Sequence, residues 1–180
     1  MPLDNPYTVW YNGGMINNQT PTLGEKDMTS EIIFTMGLPA AGKSTWTNQM
    51  SGYTVLDPDA VKESHPEYDP ANPHALHAWS QDVIEGRWQE CLSSKSGKWI
   101  VDGTGTNSEK MVRRIKQAEA AGYSTKLVYV TCSLETSLAR NAARERHVPE
   151  SVIRNKALDI STSFEIVSEY VDCVVVVDNN

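Results

Sequence analysis

Nine consecutive residues, Gly37, Leu38, Pro39, Ala40, Ala41, Gly42, Lys43, Ser44 and Thr45, fit the pattern G-x-x-x-x-G-K-[ST]. The chemistry it points to is binding of a nucleoside triphosphate. The glycines let the backbone turn its N–H groups toward phosphate oxygens, Lys43 reaches the terminal phosphates, and Ser44 can ligate magnesium. A helix opening at this point adds positive potential. From average residue usage, chance would place such a pattern in a chain of this length on the order of 1% of the time.

Three further groups bear on what the triphosphate is used for. Lys98-Trp-Ile-Val-Asp102 is an apolar run ending in a carboxylate, the form of an element that orients a magnesium-bound water beside the phosphate loop; Asp102 is either a metal-site residue or a cap on the following turn. Asp57 and Asp59 flank Pro58 after a second apolar run. A carboxylate there can accept or orient the proton of an attacking hydroxyl, and Asp59 also suits a helix N-cap. Arg140 and Arg144 stand four residues apart, on one face if the segment is helical, with Arg146 close behind. Such a fork suits the charge spread over a transferring phosphoryl group, brought in by a mobile lid. An exposed face with Glu145 paired to an arginine is the plainer alternative.

These groups need a scaffold, and the hydropathy pattern supplies one. Short apolar runs at 31–36, 53–57, 98–102, 126–132 and 172–177 alternate with longer amphipathic stretches, which predicts an α/β fold: a five-stranded, mainly parallel sheet flanked by helices. Together with the phosphate-loop motif this is the P-loop NTPase fold, with an Arg-bearing lid segment. Helices are expected over 43–50, 108–121, 133–146 and 149–169, the last interrupted. Leu76, Trp79, Val83, Trp88, Cys91 and Leu92 keep helical spacing and read as a core stripe. Carboxylates following strands face the crevice beyond the strands' carboxyl ends, where ligands bind in open sheets. Residues 1–30 read as an N-terminal extension to a domain of 31–180, with a small hairpin over 7–16. Trp10 and Tyr11 are expected to pack that extension onto the domain. His74 and His77 read as surface or capping residues, with His77 a candidate to line an acceptor cleft.

The chain of 180 residues has the size of one domain and a net charge of −7, which argues against a protein that coats nucleic acid. Residues 107–156 nevertheless hold ten Lys or Arg against five Glu, a focused positive segment on an acidic body. Three widely spaced cysteines without a C-x-x-C pair point to reduced thiols and no zinc site. The first 25 residues contain no Lys or Arg, and the longest apolar run, Cys173 to Val177, is too short to cross a bilayer. A cytoplasmic protein without membrane contact is expected.

Taken together, Gly-x-Pro-x-x-Gly-Lys-Ser-Thr-Trp, Asp-Pro-Asp-Ala-Val-Lys, Val-Asp-Gly-Thr-Gly-Thr-Asn and Arg-Asn-Ala-Ala-Arg before Val-Pro resemble small P-loop kinases that include the kinase domain of bacteriophage 5′-hydroxyl polynucleotide kinase. The likeness covers about residues 31–155. It implies ATP, with Mg2+, as phosphate donor to a hydroxyl. It places Asp59 as the catalytic Asp and Lys62 where an Arg neutralises an acceptor phosphate. Arg144 and Arg140 become lid arginines at the ATP phosphates, and Asp57 and Thr104 acceptor-side positions. Lys62 in place of a bidentate Arg, and an added glycine after Asp102, depart from the pattern. The acceptor expected first is the 5′-hydroxyl, or another hydroxyl, of a polynucleotide. A sugar, nucleoside or nucleotide-sugar acceptor is the alternative, and a non-kinase ATP-binding or ATP-hydrolysing module the further one.

Overall fold

Ser30–Met36 is buried at every position but Glu31, as a strand covered on both faces must be, and it lies inside one seven-stranded sheet in the computed structural model. The structure describes residues 30–72, 74–144 and 147–180 in full, and the backbone alone of 7–11 and 14–15. The strands are β1 (Tyr7–Tyr11), β2 (Gly14–Met15), β3 (Ser30–Met36), β4 (Thr54–Leu56), β5 (Gly97–Val101), β6 (Ser124–Thr131) and β7 (Cys173–Asp178). The helices are α1 (Lys43–Thr47), α2 (Pro58–Glu63), α3 (His77–Ser94), α4 (Ser108–Ala120), α5 (Leu134–Ala142) and α6 (Glu150–Ser168).

Sheet order is β2-β1-β7-β6-β3-β5-β4. From β7 to β4 every pairing is parallel, so the expected five-stranded parallel sheet with flanking helices is present. β1 extends it antiparallel to β7, in a register running from Tyr7 opposite Val177 to Tyr11 opposite Cys173. β2 folds back on β1, completing the expected hairpin. The packing expected of Trp10 and Tyr11, the rest of residues 1–29, and Glu145 and Arg146 lie outside the described residues.

The chain leaves β3 for the edge strand β4, returns to β5 beside β3, then crosses to β6 on the other side. That reversal opens a crevice at the carboxyl end of β3, where the Gly37–Thr45 run begins. The core beneath it is built from Ile32, Ile33, Phe34 and Met36 of β3, fully buried, with Trp88 of α3 edge-on to Phe34 at 6.3 Å between ring centres.

Four expectations need correction. Of the expected stripe, Trp88 and Cys91 are core and Val83 and Leu92 pack partly buried against it, but Leu76 precedes the helix and Trp79 is 37% exposed. It sits in the first turn of α3, short of the sheet, and packs edge-on against His65. α6 runs without interruption because its buried face, Ile153, Ile160, Ser163 and Val167, recurs at helical spacing from end to end. α1 stops at Thr47, earlier than expected. α5 stops at Ala142, because the Asn141 side chain turns to clamp the Val148 backbone, accepting from its N–H at 2.9 Å and donating to its carbonyl at 2.8 Å. Among the described residues no helix is long and apolar enough to cross a membrane.

Candidate active site

The loop from Gly37 to Gly42 is pinned from three sides. Gly37 N–H donates to Thr104 O at 3.1 Å, Ser137 Oγ to Pro39 O at 2.7 Å, and the Asn179 side-chain amide to Ala41 O at 2.8 Å. Gly42 has φ 100°, a backbone conformation that favours glycine, and a Cβ there would meet the Asn179 amide and push it off Ala41 O. Ala40 takes φ 59° without that freedom, a local strain the surrounding bonds must hold. Lys43 folds its ammonium back onto the loop, donating to Gly37 O at 2.9 Å and Leu38 O at 2.8 Å. Burial pushes it down to about 8, against the pull of Asp102.

Asp102, one residue past β5, receives a 2.6 Å hydrogen bond from Thr35 Oγ1 of β3. Burial holds its carboxyl above the usual range, and the Thr35 bond and the Lys43 charge oppose that shift.

Between β4 and α2 the geometry reassigns one role. Asp57 is the N-cap, accepting from Asp59 N–H at 2.8 Å, so Asp59 is not the cap. The cause is Pro58: it takes the first helical position, where its missing N–H is no loss, and pushes Asp59 to the second. Lys62 is buried and donates to Asp59 Oδ1 at 3.0 Å.

The Gly103–Asn107 loop follows Asp102. Within it Gly105 has φ 73°, packs against Met36 and accepts at its carbonyl from Ser163 Oγ. Lys156 of α6 reaches over this loop and donates to Thr104 Oγ1 at 3.0 Å and toward Thr106 Oγ1 at 3.4 Å. Burial lowers its pKa. Lys156 was not singled out from sequence; its only signal there was membership in the basic segment.

The arginine fork does not form as spacing suggested. Arg144 lies beyond the end of α5, exposed toward the crevice. Arg140 instead donates at 2.7 Å to Asn179 O, a carbonyl just past β7.

Three adjoining cavities result. One of about 320 Å³ beside the phosphate loop brings together Lys43, Ser44, Asp57, Asp59, Lys62, Asp102, Thr104, Arg144 and Lys156. A second, of about 440 Å³, runs between α3, α4 and the Gly103–Asn107 loop and shares with the first Pro58, His77, Gln81, Asp102, Gly103, Thr104 and Lys156. A third, of about 180 Å³, lies under α1 and is lined by Ser44, Asp57 and Asp102 among others. Of the residues singled out from sequence, Pro39, Ala40 and Gly42 line the loop side of the first cavity. Gly37, Leu38 and Ala41 stay buried behind it, Thr45 faces away beside Trp46 and Gln49, and Arg140 is not in the lining. His77 lines both larger cavities, and both it and His74 are exposed.

A family model described as "AAA domain" matches residues 32–165. In sequence the chain is 25% identical over 137 residues to "Toxin zeta" of Enterococcus hirae, covering 67% of this chain and 46% of that protein, so it spans about half the length of that curated relative. In structure it is similar to a chain of the PezAT chromosomal toxin-antitoxin system of Streptococcus pneumoniae, with a TM-score of 0.67 at 16% identity, covering 86% of this chain and 69% of that one. It is also similar to a gluconokinase from Sinorhizobium meliloti 1021, with a TM-score of 0.51 at 19% identity, covering 84% and 83%. At these identities the structural likeness is one of fold.

Proposed function

This chain belongs to the AAA domain family, and from that premise we propose that it is an ATP-dependent kinase that transfers the γ-phosphate to a hydroxyl of a small-molecule acceptor. The observation that carries the proposal is the meeting of the two larger cavities along Asp102–Thr104 and Lys156, with the phosphate loop on one side and a separate compartment on the other. A hydrolase acting on ATP alone has no use for the second compartment. Its volume of about 440 Å³ falls in the range of small-molecule sites. A gluconokinase shares the fold.

In this mechanism ATP enters the loop-side cavity and its phosphates replace the Gly37 and Leu38 carbonyls as partners of Lys43. The acceptor hydroxyl lies near Asp59, which takes or orients its proton. The acceptor oxygen bonds to the γ-phosphorus as the bond to the β,γ-bridging oxygen breaks, and ADP leaves. Lys62 holds Asp59 at 3.0 Å, keeping the carboxylate aimed. Arg144 and Lys156 face the same cavity and balance charge on the transferring group. The small cavity under α1 tests whether a magnesium ion suits the site: Ser44, Asp57 and Asp102 present oxygen donors of the kind a hard cation takes, and the set fits. Ser44 and Asp102 would hold the ion, which when bound neutralises phosphate charge.

The test is transfer of label from γ-labelled ATP to a panel of hydroxy acids, sugars, nucleosides and nucleotides, with a 5′-hydroxyl oligonucleotide alongside. Label in a small product is expected. Label confined to the oligonucleotide would replace the small acceptor with the polynucleotide end implied by the sequence resemblance. ADP formed without any labelled acceptor would leave an ATP-hydrolysing module.

A further inference from the structure

The N–H groups of the phosphate loop are divided between two uses. Ala41 N–H is spent inside the loop, donating to Leu38 O at 3.1 Å. Its two neighbours, Ala40 N–H and Gly42 N–H, donate to nothing among the described residues. Ala40 and Gly42 line the cavity beside the loop, whereas Ala41 is fully buried and does not.

Two side chains from distant parts of the chain stand behind those same two peptides. Ser137 Oγ of α5, fully buried, donates at 2.7 Å to Pro39 O, the carbonyl of the peptide that carries Ala40 N–H. The Asn179 side-chain amide donates at 2.8 Å to Ala41 O, the carbonyl of the peptide that carries Gly42 N–H. A trans peptide is planar, with its N–H directed opposite to its C=O. Holding each carbonyl from behind therefore turns the N–H of the same unit the other way, toward the cavity. Asn179 is itself fixed through its backbone: its N–H donates to Thr131 O at 2.9 Å and its carbonyl accepts from Arg140 at 2.7 Å. Between the two holds Ala40 keeps φ 59°, a left-handed conformation that alanine adopts only at a cost. Without them the strained peptide relaxes and the two N–H groups no longer converge on one anion.

We propose that Ser137 and Asn179 are positioning residues for the donor phosphates, pinning the loop from behind so that Ala40 N–H and Gly42 N–H are aimed at phosphate oxygens before the nucleotide arrives. This rests on the triphosphate-binding part of the kinase reading above and is independent of the acceptor. A loop that holds the competent shape for only a fraction of the time binds more weakly by that fraction. Affinity is what the two residues set, and the chemical step is spared, because bound phosphate restores the same shape.

The magnesium complexes of ATP and of inorganic tripolyphosphate are titrated into the protein by calorimetry. Tripolyphosphate has no base or ribose. That matters because Asn179 also borders a cavity of about 160 Å³ with Thr45, Trp46 and Gln49, where a nucleoside contact would be the competing account. Ser137→Ala and Asn179→Leu remove each donor without adding charge, and each should weaken both ligands roughly tenfold, by the same factor for the two. KM for ATP should rise in step while kcat at saturating ATP stays within about twofold. In relaxation dispersion, the Ala40 and Gly42 amides of both variants should show microsecond-to-millisecond exchange that magnesium tripolyphosphate quenches. Ser94→Ala removes bonds to Cys91 O and the Tyr123 hydroxyl beside the start of β5 and is the control for stability alone: a lower melting temperature with both affinities unchanged.

Wild-type affinity for tripolyphosphate in both variants overturns the proposal, and so does a loss confined to ATP, which would make Asn179 a nucleoside contact. Asn179 is only partly buried, so Asn179→Leu carries the test should Ser137→Ala fail to fold. The expected affinity pattern with no acceptor phosphorylated would uphold the two positioning residues and overturn the kinase reading instead. A wild-type protein that binds neither ligand overturns both.

Discussion

Thr35 Oγ1, in the middle of the sheet, donates at 2.6 Å to Asp102 Oδ1 and accepts at 3.0 Å from Gly103 N–H, so a fully buried hydroxyl on β3 aims the carboxylate that follows β5. Thr35→Val keeps the shape and removes both bonds. Asp102 then loses the interaction that most opposes its upward shift and ionises less readily. The expected outcome is a loss of about 2 kcal/mol in stability, roughly 5 °C in melting temperature, together with weaker magnesium dependence of nucleotide binding. Unchanged metal dependence at the lower melting temperature would confine Thr35 to a structural role.

Lys43 supplies a pH signature. With its pKa at about 8 in the free protein, it is half deprotonated near pH 8, and triphosphate binding should restore the proton. Calorimetry of ATP binding at pH 8 in buffers of different ionisation enthalpy should report uptake of about half a proton, absent in Lys43→Met. The stability consequence has a definite sign. Between about 8 and the ordinary lysine value of 10.5 the unfolded chain holds a proton that the folded chain lacks, so this group makes stability rise with pH across that window.

Asp59→Asn should lower kcat by roughly 100-fold or more while ATP affinity stays close to wild type, because the acceptor proton loses its base. Asp57→Asn retains a good N-cap and should fold normally, whereas Asp57→Ala should cost about 1 kcal/mol through loss of the 2.8 Å cap to Asp59 N–H. Single-turnover transfer and thermal melts on all three separate the two carboxylates. A wild-type rate for Asp59→Asn would remove it from the chemistry.

Lys156→Gln should reduce transfer by roughly 100-fold, since the cation faces both larger cavities at the wall where donor and acceptor meet. Its bonds to Thr104 and Thr106 end on neutral hydroxyls rather than on a buried carboxylate, so a melting temperature within a few degrees of wild type should accompany that loss. Normal turnover would leave Lys156 as a brace for the loop.

Arg140→Gln should do the reverse: a lower melting temperature from the lost 2.7 Å bond to Asn179 O, with kcat within about threefold. A tenfold or larger loss of kcat at unchanged ATP affinity would return Arg140 to the phosphates.

What the amino-acid sequence determined by itself is whatever depends on residues adjacent in the chain. The phosphate loop is legible because its glycines, Lys43 and Ser44 act within one strand-to-helix turn, and the five parallel strands because burial on both faces forces continuous apolar runs. The hairpin followed from turn chemistry alone. Only the tertiary structure decided relations across long separations. Pairing β1 with β7 joins the two ends of the chain, and no local pattern names that partner. The Thr35–Asp102 bond spans 67 positions, and Lys156 reaches Thr104 across 52. Arg140 and Arg144 looked equivalent by spacing. They part because Asn141 bonds the Val148 backbone, ending the helix between them, while a carbonyl past β7 claims Arg140. Lys110 and Arg114 carry no motif at all. Their partners, Gln81 for Lys110 and Glu85 for Arg114, each lie 29 positions away, and only the packing of α4 beside α3 brings them together.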